Sequence, residues 1–400
     1  MVSLPAEFIA ETGRIMGEER FNRFLGAFDE EAPTSIRVNP SKASLPDGDR
    51  VPWCSEGFYF NNRPQFTFDP LFHAGCYYVQ EASSMFVTHI LRQSGDCPKT
   101  ALDMCAAPGG KSTALRSVLP DDCVLVSNEP MGNRAQILLE NITKWGAPNC
   151  IVTNNYPRDF KKAKLKFDLI LCDVPCSGEG MFRKDPATIS EWSPQNVEKC
   201  WQLQREIVAD AWECLNPGGL FIYSTCTFNT KENEENIRWI LENFDAEVLD
   251  IPVDPSWNIT GSLLEGFNAP VYRFIPGITR GEGLFACALR KNGGAEARGR
   301  DGARFDERKL KGISILEPPY PRTPVPPKVD LPYSEALKYL RGEALVLPPD
   351  TPKGIVTITY KGQPLGQAKN IGNRANNLYP KAWRIKTTHL PSEEVKIITI

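Results

Sequence analysis

Histidine is scarce in this 400-residue chain: His73, His89 and His389 are the only imidazoles, and no Cys-x-x-Cys occurs among the twelve cysteines. A zinc site built from imidazoles and paired thiolates is therefore not expected. Cys172 and Cys176 stand four apart with no second pair. Long apolar runs are missing as well. Val124-Leu125-Val126 and Ala286-Cys287-Ala288-Leu289 fall far short of the ~18 to 20 residues a membrane helix needs. Met1-Val2-Ser3-Leu4-Pro5-Ala6-Glu7 has no basic-then-apolar leader pattern, so a cytoplasmic location and no membrane partner are expected. Cysteines dispersed through such a chain are expected to be free thiols. With no heptads, no exposed apolar stripe and no internal repeat, a monomer is expected.

What is present is an ordinary globular composition, 41% hydrophobic, 24% charged and 10% aromatic, which excludes disorder and collagen. The net charge of −3 is unevenly spread: residues 331–400 carry ten Lys and Arg against five acids, which leaves −8 for the rest. A basic module on an acidic body suits a phosphate-bearing partner, although a charged face can also be simply solvated.

Residues 4–26 have helical apolar spacing, 35–40 read as a short strand stopped by Pro40, and 81–91 as an amphipathic helix. From Thr100 strands alternate with longer polar-faced segments: 101–104, 123–126, 150–153, 167–172, 220–223 and 284–289. That alternation predicts an α/β fold with a parallel, doubly wound sheet. Glycines and charges over 292–312 and prolines over 318–332 read as a linker, and the β-rich run 354–360 marks a small C-terminal domain. The expected division is 1–97, an α+β packing extension; 98–291, the parallel sheet; 292–332, the linker; and 333–400, a small basic β-rich domain.

Cys105-Ala106-Ala107-Pro108-Gly109-Gly110-Lys111-Ser112 joins the first strand of the alternation to a helix. It lacks the P-loop spacing, since Cys105 stands where a glycine is needed, and it lacks G-x-G-x-x-G. A glycine loop of this kind, followed one strand later by Asn128-Glu129, suits a nucleoside-bearing cofactor without a required diphosphate, the carboxylate meeting a ribose diol. A tight turn with no ligand is the alternative.

Two further strands end in cysteine. Residues 168–172 run into Asp173-Val174-Pro175-Cys176-Ser177-Gly178, and 219–223 run into Ser224-Thr225-Cys226-Thr227. If the strands are neighbours, both thiols emerge at the carboxyl edge of the sheet, where open α/β proteins bind ligands; Cys123, Cys150, Cys172 and Cys287 are expected in the core. Exposed thiols there suit nucleophilic addition to an electron-poor ring carbon, which activates the adjacent carbon to take a group from a cofactor. Expelling the thiolate afterwards needs a base, and a second cysteine or a water could serve.

Asp103-Met104-Cys105-Ala106-Ala107-Pro108-Gly109-Gly110-Lys111-Ser112, Asp173-Val174-Pro175-Cys176-Ser177-Gly178-Glu179-Gly180 with Arg183-Lys184-Asp185-Pro186, and Tyr223-Ser224-Thr225-Cys226-Thr227 together resemble the RsmB/NOP/Sun family of RNA cytosine-5 methyltransferases. The segments around Tyr78-Val79-Gln80-Glu81-Ala82-Ser83-Ser84 and Asn376-Asn377-Leu378-Tyr379-Pro380-Lys381-Ala382-Trp383-Arg384-Ile385 are similar to its RsmF branch, which modifies small-subunit ribosomal RNA. The resemblance implies a Rossmann-like fold dependent on S-adenosylmethionine, with a PUA-like C-terminal domain and RNA, most of all 16S ribosomal RNA, as partner; transfer RNA is the alternative substrate. It implies that Cys226 attacks carbon 6 of cytosine, that Cys176 assists release, that Asp173 holds the N3 and amino edge, and that Lys111 lies beside them. Cys105, Ala106, Ala107, Pro108, Gly109, Gly110 and Lys111 would hold the methionine end of the cofactor, Glu129 the ribose hydroxyls, with Arg134, Asn155 and Asp173 completing its contacts. The chain departs from the family at Thr153-Asn154-Asn155-Tyr156-Pro157, where Tyr156 stands in place of an acid; Asn155 could supply a hydrogen bond there, or Tyr156 could stack. Arg183 and Lys184 are expected RNA contacts, as are the basic residues around Tyr360, Tyr379 and Trp383, unless those rings are core. Other classes remain open. A catalytically idle RNA-binding assembly factor would bind RNA without transferring methyl groups, and a nicotinamide oxidoreductase would bind its own cofactor.

Overall fold

The computed structural model describes residues 3–293, 310–320, 325–387 and 389–400; the remainder of the expected linker, 294–309 and 321–324, lies outside them. The strands are β1 Thr34–Val38, β2 Gly57–Phe60, β3 Tyr77–Val79, β4 Thr100–Asp103, β5 Val124–Asn128, β6 Cys150–Thr153, β7 Phe167–Asp173, β8 Leu215–Thr225, β9 Ala246–Val248, β10 Tyr272–Phe274, β11 Leu284–Lys291, β12 Ile315–Leu316, β13 Lys328–Asp330, β14 Gly354–Tyr360, β15 Gln363–Asn370 and β16 Ala375–Asn377.

The central sheet runs β10-β11-β8-β7-β4-β5-β6-β12, with β9 beside β11. Five neighbours, β6, β5, β4, β7 and β8, are parallel; β11 and β12 pair antiparallel with the two ends of this block, and β10 and β9 pair antiparallel with β11. Parallel strands are covered on both faces, which explains their uninterrupted apolar sequences. Alternate residues divide between two cores: Ala101, Leu169, Leu171, Leu220 and Ile222 face one side, and Leu102, Ile170, Cys172, Phe221 and Tyr223 the other. The order makes β4 and β7 the strands from which the chain departs in opposite directions, and a doubly wound sheet binds its ligand at the carboxyl ends of such a pair.

The first 26 residues form two helices, Ala6–Met16 and Glu18–Gly26, because Gly17 adopts φ +73° and interrupts the helical spacing. Their apolar faces (Phe8, Met16, Phe24) pack on Phe182 and Phe228, which follow the two cysteine turns. β2-β1-β3 form an antiparallel sheet, whose side chains Ile36, Val38, Phe58 and Tyr77 share one core with Leu337, Leu340, Val356, Ile358 and Tyr379 of the C-terminal module. That module is a four-stranded sheet, β13-β14-β15-β16, with the helix Tyr333–Arg341; β13 begins at Lys328, ahead of residue 333.

Arg37 on β1 fastens the N-terminal sheet to the helix that follows the glycine loop. Its guanidinium donates to Gln80 Oε1 at 2.8 Å, Ser117 Oγ at 3.0 Å, Thr113 Oγ1 at 2.6 Å and the Gly110 carbonyl at 3.3 Å, and it lies 4.5 Å from the Trp145 ring centroid. Burial pushes its pKa down to about 10, so it remains a cation at neutral pH, and its donors are matched by acceptors. Arg37→Met removes the donors while leaving the buried acceptors. A loss of about 3 kcal/mol in unfolding free energy is expected, measured by denaturant titration; a loss under about 0.5 kcal/mol would rule out a structural role for the clamp.

Candidate active site

The carboxyl ends of β4, β5, β7 and β8 bring Asp103, Glu129, Asp173 and Cys226 to one edge. After β4 the chain turns at Gly109, whose φ of +114° favours glycine and where an added Cβ would lie 3.2 Å from Leu138 Cδ1. The loop is held from behind: Ala106 N–H donates to the Asn128 carbonyl at 2.7 Å, the Ala107 carbonyl accepts from Arg134 at 2.9 Å, and the Pro108 carbonyl accepts from Asn141 at 2.8 Å. Cys105 is buried in this loop, and burial pushes its thiol well above the ordinary range; it is a wall, not a nucleophile.

β7 and β8 are adjacent and parallel with Asp173 opposite Ser224, so the two cysteine turns leave the sheet side by side. The Cys176 and Cys226 sulfurs are 3.1 Å apart, both half-buried and both free. Backbone contact permits this. Gly180 N–H donates to the Cys226 carbonyl at 2.7 Å, and a Cβ on Gly180 would stand 2.6 Å from that oxygen and 2.9 Å from Gly283 Cα. The hydrogen bond to Cys226, with burial, pushes the Cys176 pKa well above the ordinary thiol value, which keeps Cys176 protonated. Lys111 Nζ lies 2.8 Å from Asp173 Oδ2, and Ser224 Oγ donates to Asp173 Oδ1 at 2.7 Å. Burial alone would lower the Lys111 pKa, but Asp173, with Cys226 and Asp103, raises it. The expected catalytic residues Cys226, Cys176, Asp173 and Lys111 thus lie in one connected cluster.

Beneath the turns lie two carboxylates that composition and spacing do not reveal. Glu179 accepts from Thr227 Oγ1 at 2.5 Å, from the Phe228 and Asn229 backbone N–H at 2.6 and 3.0 Å, from Asn229 Nδ2 at 3.0 Å and from Trp192 Nε1 at 3.0 Å. Glu232 accepts from Ser177 N–H and Oγ, from Gln204 Nε2 at 2.6 Å and from Asn229 Nδ2 at 2.8 Å. Burial, and Glu179 nearby, push Glu232 up to about 7. The network locks the residues that follow each cysteine.

The ends of β4 and β5 carry two buried acids, each with one oxygen that lacks a hydrogen-bond partner among the described residues. Glu129 accepts Met131 N–H at 3.0 Å through Oε1, while Oε2 has no hydrogen-bond partner among the described residues, with the Arg134 guanidinium 3.5 Å away. Asp103 accepts from Ser112 at 2.6 Å through Oδ2, and its Oδ1 also lacks a partner among the described residues. One free acceptor suits a ribose diol and the other an ammonium donor, so these residues fit S-adenosylmethionine. Asn155 is placed otherwise: its amide meets the backbone of Ser314 on both atoms. Tyr156 is exposed beside it, with Arg158 5.0 Å from its ring centroid.

One expected RNA contact is placed otherwise, and the rings of the C-terminal module fall to the core alternative. The Arg183 side chain is mostly buried, 2.8 Å from Glu282, and donates to the Glu30 carbonyl, so it braces the turn; Lys184 is exposed. Tyr360 and Tyr379 are core residues of the C-terminal module, and Trp383 packs edge-on against Tyr379 at 5.9 Å. Their surroundings are apolar, with Tyr360 also bound to Glu394, whereas Lys353, Lys369, Arg374, Lys381 and Lys386 are exposed. Cys123, Cys150, Cys172 and Cys287 are in the core as expected. No cluster of three potential metal ligands occurs among the described residues, and none of their helices is long and apolar enough to cross a membrane.

Residues 92–290 match the family of 16S rRNA methyltransferase RsmB/F, residues 4–82 the N-terminal domain of 16S rRNA methyltransferase RsmF, and residues 326–385 the methyltransferase RsmF PUA domain. The chain belongs to the RsmB/F methyltransferase family. Ribosomal RNA small subunit methyltransferase F of Pectobacterium atrosepticum is 37% identical over 73% of this chain and 63% of its own length. Its namesake from Pectobacterium carotovorum is 34% identical over 84% of this chain and 70% of its own. The chain therefore spans about two thirds of these relatives. Among solved structures, a methyltransferase homologue from Pyrococcus horikoshii superposes with TM-score 0.62 at 29% identity, covering 72% of this chain and 96% of that one. NSun6 from the same organism, solved with SFG, gives 0.61 at 21% identity over 72% and 99%, a likeness of fold.

Asp103 was within reach of sequence reasoning, since it ends the strand before the glycine loop; Arg37, Glu179 and Glu232 were not, since their partners lie far away in sequence. Burial, with Asp173 and Glu129 nearby, pushes Asp103 up to about 7 against the opposing Ser112 hydrogen bond. A cation bound at Oδ1 requires the ionised form, so below about pH 7 binding must displace a proton. Affinity for S-adenosylmethionine is expected to rise roughly tenfold from pH 6 to pH 8 and to flatten in Asp103→Asn, measured by calorimetry; a wild-type profile as flat as that of the variant would remove Asp103 from the site.

Proposed function

We propose that this chain transfers a methyl group from S-adenosylmethionine to carbon 5 of a cytosine in RNA, with small-subunit 16S ribosomal RNA as substrate. The observation that carries the reading is the pair of thiols, 3.1 Å apart at two neighbouring strand ends, beside the Lys111–Asp173 ion pair. Cys226 adds through sulfur to carbon 6 of the cytosine, and the electron pair of the 5,6 double bond becomes available at carbon 5. Asp173, held by Lys111 and Ser224, faces the N3 and amino edge, where a carboxyl group favours the donor amino of cytosine over the oxygen of uracil. The cofactor supplies an electrophilic methyl group. Glu129 and the 105–111 loop hold it, with Arg134 behind them. A water takes the carbon 5 proton, the electron pair of that bond restores the double bond, and the Cys226 sulfur leaves with the pair of its bond to carbon 6. Cys176, held protonated against Cys226, returns a proton to the departing sulfur.

A base inside a helix is out of reach of a thiol, so the target is unpaired or flipped, at a cost of a few kcal/mol. The RsmF-type PUA match and the exposed basic residues of the C-terminal module support RNA as the partner, bound through phosphate contacts.

Cys176→Ala is expected to trap a covalent protein–RNA adduct that resists denaturing electrophoresis, whereas Cys226→Ala forms none and transfers no label from the cofactor. An adduct that persists in Cys226→Ala would sink the role assignment. In cells lacking the gene, bisulfite sequencing is expected to reveal one small-subunit cytosine that loses protection and regains it with wild type only; loss at a transfer RNA cytosine instead would move the substrate.

A further inference from the structure

The outer edge of the nucleoside half of the sheet is closed by chain that arrives from far away. β12 pairs antiparallel with β6, Ile315 opposite Thr153 and Leu316 opposite Val152. Immediately before it, Ser314 N–H donates to Asn155 Oδ1 at 2.9 Å, and its carbonyl accepts from Asn155 Nδ2 at 3.0 Å and from the Asn154 backbone N–H at 3.0 Å. Leu310 and Ile313 are buried in the same apolar cluster as Cys105, Val126 and Phe160. Asn154 in turn donates through its side chain to the carbonyls of Glu129 and Pro130, at 2.7 and 3.0 Å. Hydrogen bonds therefore run from Ser314 to Asn155 and, through Asn154, to the backbone of Glu129, the residue whose side-chain Oε2 has no hydrogen-bond partner among the described residues.

An amide is the side chain this arrangement requires at 155. It donates to the Ser314 carbonyl and accepts from the Ser314 N–H in one plane, whereas a carboxylate would face the carbonyl with a second lone pair. A two-residue strand contributes little by itself; the amide pair and the buried Leu310 and Ile313 fix it in place.

We infer that residues 310–316 are a positioning strap of the cofactor pocket: they hold the Asn154-Asn155 turn where Glu129 can take the ribose, and they make cofactor affinity depend on chain that lies beyond the catalytic sheet. This rests on the reading of the crevice as the S-adenosylmethionine site. Linkage is reciprocal, so a strap that favours the bound cofactor is itself held more firmly when the cofactor is bound.

The test uses the full chain and S-adenosylhomocysteine as probe, by calorimetry and by hydrogen exchange over 310–316. Saturating probe is expected to slow exchange of the Ser314 amide. Asn155→Ala and Ser314→Pro are each expected to raise the Kd about tenfold, with RNA affinity unchanged and thermal melting confirming that both variants fold. Exchange that ignores the probe, or a Kd unmoved by both substitutions in a wild type that binds, overturns the strap alone. A wild-type chain that does not bind the probe overturns the cofactor reading and the strap with it. The exchange measurement needs no variant, so it decides the matter even where a substitution prevents folding.

Discussion

The whole arrangement depends on β7 and β8 lying side by side in parallel. In a parallel pair the two carboxyl ends project together, so residues three positions beyond Asp173 and two beyond Ser224 meet above the same sheet edge. Were the pair antiparallel, one thiol would sit at the far side of the sheet. The close passage of Gly180 past Gly283 and the Cys226 carbonyl then brings the turns within sulfur contact, and no residue with a side chain fits there without displacing backbone. The acids beneath them, Glu179 and Glu232, accept nine hydrogen bonds between them, which fix those turns. Burying two carboxylates without a cation is costly unless their oxygens are saturated with hydrogen bonds.

Much of this was legible in the residues, for identifiable reasons. Parallel strands covered on both faces must be apolar throughout, so β4, β6 and β7 stand out as short unbroken runs ended by polar residues that carry chemistry. The pieces that sequence patterns did not reveal are those without periodicity. β10 and β12 are three and two residues long and exist because a finished sheet offers them an edge. The break at Gly17 is a single left-handed residue in an otherwise helical stretch. Arg183 illustrates the limit of charge as a guide: beside a catalytic motif it reads as a phosphate ligand, yet Glu282, a hundred residues on, makes it a brace. Tyr360 and Tyr379 could be left only as alternatives, because an aromatic among lysines looks identical whether its ring faces solvent or core, and burial decides for the core.

The asparagines after β6 show how a departure from a family pattern acquires a physical reason only in three dimensions. In sequence, Thr153-Asn154-Asn155-Tyr156 is a missing acid. In the fold it is a junction at which both amides are engaged, one by Ser314 and the other by Glu129 and Pro130.

The apolar core shared by β1 to β3 and the C-terminal module bears on how the chain is made. Ile36 and Val38 leave the ribosome early, while Leu337, Val356 and Ile358 follow some 300 residues later, which at ~5 to 20 residues per second is about 15 to 60 s. Through that interval the N-terminal sheet has finished its hydrogen bonds without finishing its burial. A nascent chain in this state presents a greasy face to its surroundings, and the C-terminal module is what later covers β1 to β3.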